Sequence, residues 1–283
     1  MIKLEILRAD VYGFCFGVKR ALRITETTLA KTSYPVYTLG QLIHNPQVVK
    51  YLVEKGVKSV NSLNEIKGEG NLIIRSHGLS PAIVAEARSK GLNIVDATCP
   101  FVKKEQKLAE KLSLEGYQVI IVGEEFHPEV KGILGYVPSA WIATSPSEVA
   151  SLPFKYKMGV VVQTTQPKRL FMEILKELAG KCKELRAFNT ICNATERRQA
   201  SALALAEKVE VMLVIGGKNS GNTTRLVQLC KEVQRATYHI ESKEELLPEF
   251  FKGVKKVGIT AGASTPQWVV EEVIQKLKEL QVV

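Results

Sequence analysis

Short apolar runs recur along the chain. "PVYTLG", "NLIIRSHG", "LNIVDATCP", "YQVIIVGEE", "MGVVVQTT", "VEVMLVIGG" and "KKVGITAGAS" each concentrate Val, Ile or Leu in a few consecutive positions. Each run enters a loop of Gly, Ser, Thr, Asn or His, and an amphipathic stretch of helical period follows. A continuous apolar run bounded by turn residues predicts a strand covered on both faces. Its alternation with helices predicts parallel α/β units. Ligands of such sheets sit at the C-terminal ends of the strands, and the polar loops are those ends.

The loops fall into three classes. Cysteines follow strands at Cys15 in "GFCFGVKRA", Cys99 in "DATCPFVKK" and Cys192 in "NTICNATERRQ". A second class holds His44 in "LIHNP", His127 in "FHPEV", and Ser220 with Asn222 in "KNSGN". A third holds His77 in "SHGLSP", Thr164 in "QTTQP" and Ser264 in "AGASTP". The spacing from first to second class is 29, 28 and 28 residues, and from second to third 33, 37 and 44. The chain therefore reads as three repeats of roughly 90 residues. The expected fold is α/β: three pseudo-threefold-related lobes, each a small, mainly parallel sheet flanked by helices, around a central site. The lobes are expected over residues 12–97, 98–190 and 191–283. The third lacks its closing strand, and residues 1–11, with "IKLEILRA", are the expected replacement.

Composition narrows the chemistry. The chain has 283 residues, 45% hydrophobic and 24% charged, with a net charge of +10. No run of eighteen apolar residues exists, so no membrane association is expected. "MIKLEILRAD" carries charges within its apolar stretch and no cleavage-site pattern, so the cytoplasm is the expected compartment. Five cysteines, an odd number, argue against a disulfide framework. The positive charge suits an anionic substrate or an acidic protein. Nucleic acid is not expected as a partner, because the basic residues are dispersed and no RNP or zinc-finger spacing occurs.

A pseudo-threefold arrangement brings equivalent loops together on its axis, with Cys15, Cys99 and Cys192 among them. Three thiolates are soft ligands, suited to zinc, copper(I) or an iron–sulfur cluster. A structural zinc requires a fourth protein ligand, and none recurs beside these cysteines. Three cysteines on a four-iron cluster leave one iron open. Cys182 in "AGKCKEL" and Cys230 in "VQLCKEV" are expected within helices as structural thiols, and His239 as a structural histidine. The polar loops, with His44, His77, His127, Thr164, Thr165, Ser220, Asn222 and Ser264, are rich in donors and poor in carboxylates. That lining suits a polyanion such as diphosphate, which glycines let the backbone amides approach. Glu129, in "HPEV", is the exception and the candidate proton donor, with Thr164 as its relay.

Taken together, "GFCFGVKRA", "IHNP", "RSHG", "DATCP", "HPEV", "QTTQ", "ICNAT" with "RQ", "GGKNSGNTTRL" and "AGASTP" resemble the 4-hydroxy-3-methylbut-2-enyl diphosphate reductases, a LytB-type iron–sulfur family. The resemblance runs from about residue 9 to 270. It implies a 4Fe–4S enzyme that removes an allylic hydroxyl with two electrons and two protons, giving isopentenyl and dimethylallyl diphosphate in the last step of the non-mevalonate isoprenoid pathway. It places the cluster ligands on Cys15, Cys99 and Cys192. Proton delivery falls on Glu129, aided by Thr164 and His127. Diphosphate binding falls on His44, His77, His127, Thr164, Ser220, Asn222 and Ser264. Gly221 stands where many members carry a serine, so only a backbone amide remains there for substrate. An external electron donor of ferredoxin or flavodoxin type is implied, and complementary charge favours its encounter with a basic protein. The competing readings are a non-redox 4Fe–4S hydratase or dehydratase, and a cluster-bearing nucleic-acid sensor.

Overall fold

The computed structural model describes residues 4–280. Residues 1–3 of the expected N-terminal strand and 281–283 of the expected third lobe lie outside the described residues. In chain order, β1 (Glu5–Arg8), α1 (Phe16–Lys31), β2 (Val36–Leu39), α2 (Pro46–Glu54), β3 (Val57–Val60), β4 (Gly70–Ile74), α3 (Pro81–Ser89) and β5 (Leu92–Asp96) come first. Then follow α4 (Pro100–Leu114), β6 (Gln118–Val122), α5 (Pro128–Leu134), β7 (Trp141–Ala143), α6 (Pro146–Ala150), β8 (Lys155–Val162), α7 (Lys168–Leu178) and β9 (Cys182–Ala187). The remainder is α8 (Asn193–Ala206), β10 (Val211–Ile215), α9 (Gly221–Val233), β11 (Thr237–Ile240), β12 (Lys256–Ala261) and α10 (Gln267–Leu280).

These strands form three four-stranded sheets, ordered β3-β2-β4-β5, β7-β6-β8-β9 and β11-β10-β12-β1. Every strand pairing is parallel. The three orders are the same topology written three times, except that the last edge strand of the third sheet comes from the start of the described chain. β1 lies against β12 in the register Glu5↔Lys256 to Arg8↔Ile259.

The apolar runs become the central strands because only a strand flanked on both sides and covered on both faces buries every side chain. In β6, Ile120 and Val122 pack with Val160 of β8 against Ile174 and Leu178 of α7. Val119 and Ile121 point the other way, to Ala109 and Leu112 of α4 and Ile133 of α5. β10 repeats this division. Val211, Leu213 and Ile215 pack with Val270 and Val273 of α10, while Met212 and Val214 meet Leu226 of α9 and Leu205 of α8.

One expectation fails here. Cys182 does not lie in a helix; it opens β9, opposite Lys155 of β8. Gly180 and Lys181 end α7 first, and the free edge of β8 takes up the backbone groups that follow. Cys230 lies inside α9, fully buried.

By contacts, the described chain divides into two compact units. One holds the described part of Met1–Val18, Ile43–Tyr51 and the described part of Asn193–Val283, with the sheet β11-β10-β12-β1. The other holds Lys19–Leu42 and Leu52–Cys192, with the other two sheets.

Candidate functional site

Each unit carries part of the expected site. In the first, the ladder of β1 continues past the strand. The Gly13 amide donates to the Ala261 carbonyl at 3.2 Å and the Cys15 amide to the Ala263 carbonyl at 3.1 Å. Gly13 takes φ of 72°, a conformation that favours glycine, and so turns the chain into α1. Buried Arg198 of α8 donates to the Gly13 carbonyl at 2.6 Å and to the Ala194 carbonyl at 3.0 Å, fixing that turn. The Cys15 sulfur accepts the Val18 amide at 3.5 Å and lines a cavity of about 410 Å³ with Arg197, Arg198 and Gln267.

The polar loops of this unit meet one another. Ser264, after β12, donates through Oγ to the His44 carbonyl at 3.0 Å and lies 3.5 Å from the Ser220 hydroxyl. Ser220 caps α9, its Oγ accepting the Thr223 amide. Gly221 and Asn222 are the first residues of that helix, and Asn222 Nδ2 is buried with no partner among the described residues. A Cβ on Gly217 would stand 2.8 Å from the His44 carbonyl, so these loops approach only as glycine permits.

In the second unit, Cys99 follows β5 and directly precedes α4. Its amide donates to the Ser76 carbonyl at 2.9 Å, which ties it to the His77 loop after β4. Arg20 holds the Thr98 carbonyl at 3.0 Å. The Cys192 amide donates to the Thr164 carbonyl at 3.0 Å. Thus Cys15, Cys99 and Cys192 each stand after an edge strand and immediately before a helix: α1, α4 or α8. A helix N-terminus favours negative charge, which a thiolate supplies. None of the three is joined in a disulfide among the described residues, and each is partly accessible. By contrast, burial pushes the Cys230 thiol up to about 12 and raises that of Cys182. The first three cysteines therefore fit a thiolate-held metal group, and the last two do not.

His127 caps α5, its Nδ1 accepting the Glu129 amide at 3.2 Å. With Nδ1 an acceptor, the neutral ring carries its proton on Nε2. The His77 ring meets that of His127 edge to face, 5.5 Å between centroids. Glu129 is 2% exposed. Its Oε1 accepts the Thr164 amide at 2.6 Å and its Oε2 the Thr164 hydroxyl at 3.0 Å. The expected acid and its expected relay are in direct contact.

Two residues escaped the sequence reading. Glu105 and Gln106 lie on the buried face of α4 with Val102, Ala109 and Leu112. Gln106 fills the space left by Gly78 and Gly132, beside the His77 carbonyl. Glu105 is fully buried, and its carboxyl lies within hydrogen-bonding reach of Glu129. Burial first, and then the charge of Glu129, raises the Glu105 carboxyl well above the ordinary carboxylate range. The signal was present in sequence, since a carboxylate at the i+3 position after Val102 and the i−4 position before Ala109 breaks an otherwise apolar stripe.

Known proteins resemble this chain from end to end. A protein of Geobacter sulfurreducens named 4-hydroxy-3-methylbut-2-enyl diphosphate reductase is 48% identical over 277 residues, 98% of each chain. One of the same name from Aquifex aeolicus is 47% identical over 281 residues, 98% of this chain and 97% of the relative. A solved structure of (E)-4-hydroxy-3-methyl-but-2-enyl diphosphate reductase, described as the terminal enzyme of the non-mevalonate pathway, superposes with a TM-score of 0.71 at 46% identity, covering 98% of this chain and 99% of the other. The Plasmodium falciparum reductase gives a TM-score of 0.92 at 29% identity, covering 96% of this chain and 87% of the other. The family profile described as LytB protein matches residues 6–278, and with relatives this similar along their whole length, the chain belongs to the LytB family.

Proposed function

We propose that the chain is a 4-hydroxy-3-methylbut-2-enyl diphosphate reductase. It takes two electrons and two protons to remove the allylic hydroxyl of (E)-4-hydroxy-3-methylbut-2-enyl diphosphate, and releases isopentenyl or dimethylallyl diphosphate and water. The observation that carries this reading is the buried Glu129 carboxyl held by both donors of Thr164. An acid kept from water and in contact with one hydroxyl delivers a proton outward through that hydroxyl. Glu129, through Thr164, protonates the departing hydroxyl, and the second proton goes to one of two allyl carbons, hence two products.

Cys15, Cys99 and Cys192 would hold a 4Fe–4S cluster, which would supply electrons and a Lewis-acidic iron. The remaining work belongs to the chain. Asn222 Nδ2, buried and unpartnered among the described residues, is a donor awaiting an acceptor. With Ser220, Ser264, the Gly221 amide at the start of α9, and the Nε2–H of His127, it suits the diphosphate. His44 and His77 complete that set. Binding the diphosphate fixes the allyl group before the chemistry. The lobes we propose are residues 12–97, 98–190 and 191–283, the last completed by the N-terminal strand 1–11. The enzyme works in the cytoplasm with an acidic ferredoxin or flavodoxin as donor, consistent with its +10 charge. No helix among the described residues is long and apolar enough to cross a membrane.

The test is anaerobic. Iron and sulfide should be present in the ratio of a 4Fe–4S cluster, and a reduced viologen dye should be oxidised only when substrate is added. Turnover without reductant would favour the hydratase reading instead. Glu129→Gln should retain the iron and lose about 10²-fold or more in kcat, and unchanged turnover would remove Glu129 from the mechanism.

A further inference from the structure

The proton path above uses one carboxyl, but two are buried together. Glu105 is 0% exposed, and neither of its oxygens has a hydrogen-bond partner other than the facing carboxyl of Glu129. Two ionised carboxylates only accept hydrogen bonds, so a buried pair in contact holds a proton between them. Both oxygens of Glu129 are already acceptors, Oε1 from the Thr164 amide and Oε2 from the Thr164 hydroxyl. The proton of the pair therefore rests on Glu105. No cation stands in for it, since no salt bridge among the described residues involves either carboxyl.

We propose that Glu105 is a positioning residue of the reaction that stores the proton Glu129 delivers. When the Thr164 hydroxyl turns toward the leaving group, the O–H bond of Glu105 breaks and one forms on Glu129. The Glu129 O–H then breaks as its proton passes through Thr164 and an O–H forms on the departing water. The pair is left without a proton and takes one from solvent before the next turnover, so one proton enters for each one delivered. This inference rests on Glu129 as the proton donor.

The experiment separates the two claims. Infrared spectra of anaerobically purified protein at neutral pH should show the carbonyl stretch of an un-ionised carboxylic acid, shifted in heavy water. The band should vanish in Glu105→Gln and in Glu105→Met, and survive in Glu129→Gln. Met is close to Glu in volume and introduces no polar group, so it covers the case in which Gln packs badly. With substrate and reductant, both Glu105 variants should lose about tenfold or more in kcat with KM little changed, and Glu105→Asp should recover part of the loss. Adding Glu105→Gln to Glu129→Gln should cost nothing further, because the two act in one chain. A band that persists in both Glu105 variants, or is absent from the parent, overturns the storage role whatever the kinetics. Full activity of both Glu105 variants beside a crippled Glu129→Gln overturns the inference alone. An active Glu129→Gln overturns the reading it rests on.

Discussion

Replacing Glu105 by Gln should change not only turnover but the way stability depends on pH. The ordinary value for this carboxyl is 4.5, and in the folded chain it is raised well above that, by burial first and by the negative charge of Glu129 second. Below pH 4.5 the group is protonated in both folded and unfolded chains and contributes no slope. Above it the unfolded chain releases a proton that the folded chain keeps. The unfolded state then binds fewer protons, so stability falls as pH rises, by about 1.4 kcal/mol per unit while the folded carboxyl stays protonated. This cost falls on the parent alone, since the Gln amide does not titrate. The gain of Glu105→Gln over the parent should therefore grow steadily as pH rises above 4.5, for as long as the folded carboxyl keeps its proton. Urea unfolding of both proteins, followed by circular dichroism at half-unit intervals, measures that growth. Parallel curves with a constant offset would refute the reasoning, since they would mean that Glu105 ionises alike in the folded and unfolded chains.

Other consequences follow from the same geometry. Gly216→Ala should destabilise the unit containing β10 by about 2 kcal/mol or more, because φ of 147° disfavours a side chain and the new Cβ would stand 2.4 Å from Thr265 Oγ1; thermal unfolding measures it. Arg198→Met should release the Gly13 carbonyl and speed amide hydrogen exchange over residues 13–18, with β10 and β12 still protected. Cys99→Ser should abolish most iron retention after anaerobic desalting, whereas Cys182→Ser should keep it, since Cys182 opens an edge strand and burial raises its thiol.

What the sequence revealed of the fold depended on how much each element owes to its own residues. The central strands β4, β6 and β10 bury nearly everything they carry, as β8 does from Met158 onward, so "NLII" and "VMLVI" announce themselves. The edge strands do not. β3 is "VKSV" and β11 is "TYHI", mixed segments whose strand character comes from a neighbour's open backbone groups. β9, "CKELRA", sets Cys182 and Leu185 three residues apart, as one face of a helix would, and Cys182 therefore reads as helical in sequence. The site divides in the same way. Residues in strand-end loops were found by their recurring position, and Glu129 was found as the one acid among donors. Glu105 was missed because it lies inside a helix rather than in a loop, where only its interruption of the apolar stripe marks it.

The pairing of β1 with β12 has a consequence for the order in which the protein can be completed. The Cys15 amide is held by the Ala263 carbonyl, and the turn before it by Ala261 and Arg198. A ribosome delivers Cys15 among the first residues and Ala263 only after most of the chain has emerged. Until then the first thiol hangs on an unanchored segment, while the loops of Cys99 and Cys192 have every partner named above already synthesised. Iron supplied during translation would therefore meet an incomplete set of thiols. On the proposed ligand set, loading waits for the nearly finished polypeptide, and a ribosome stalled before residue 263 should hold no stable cluster.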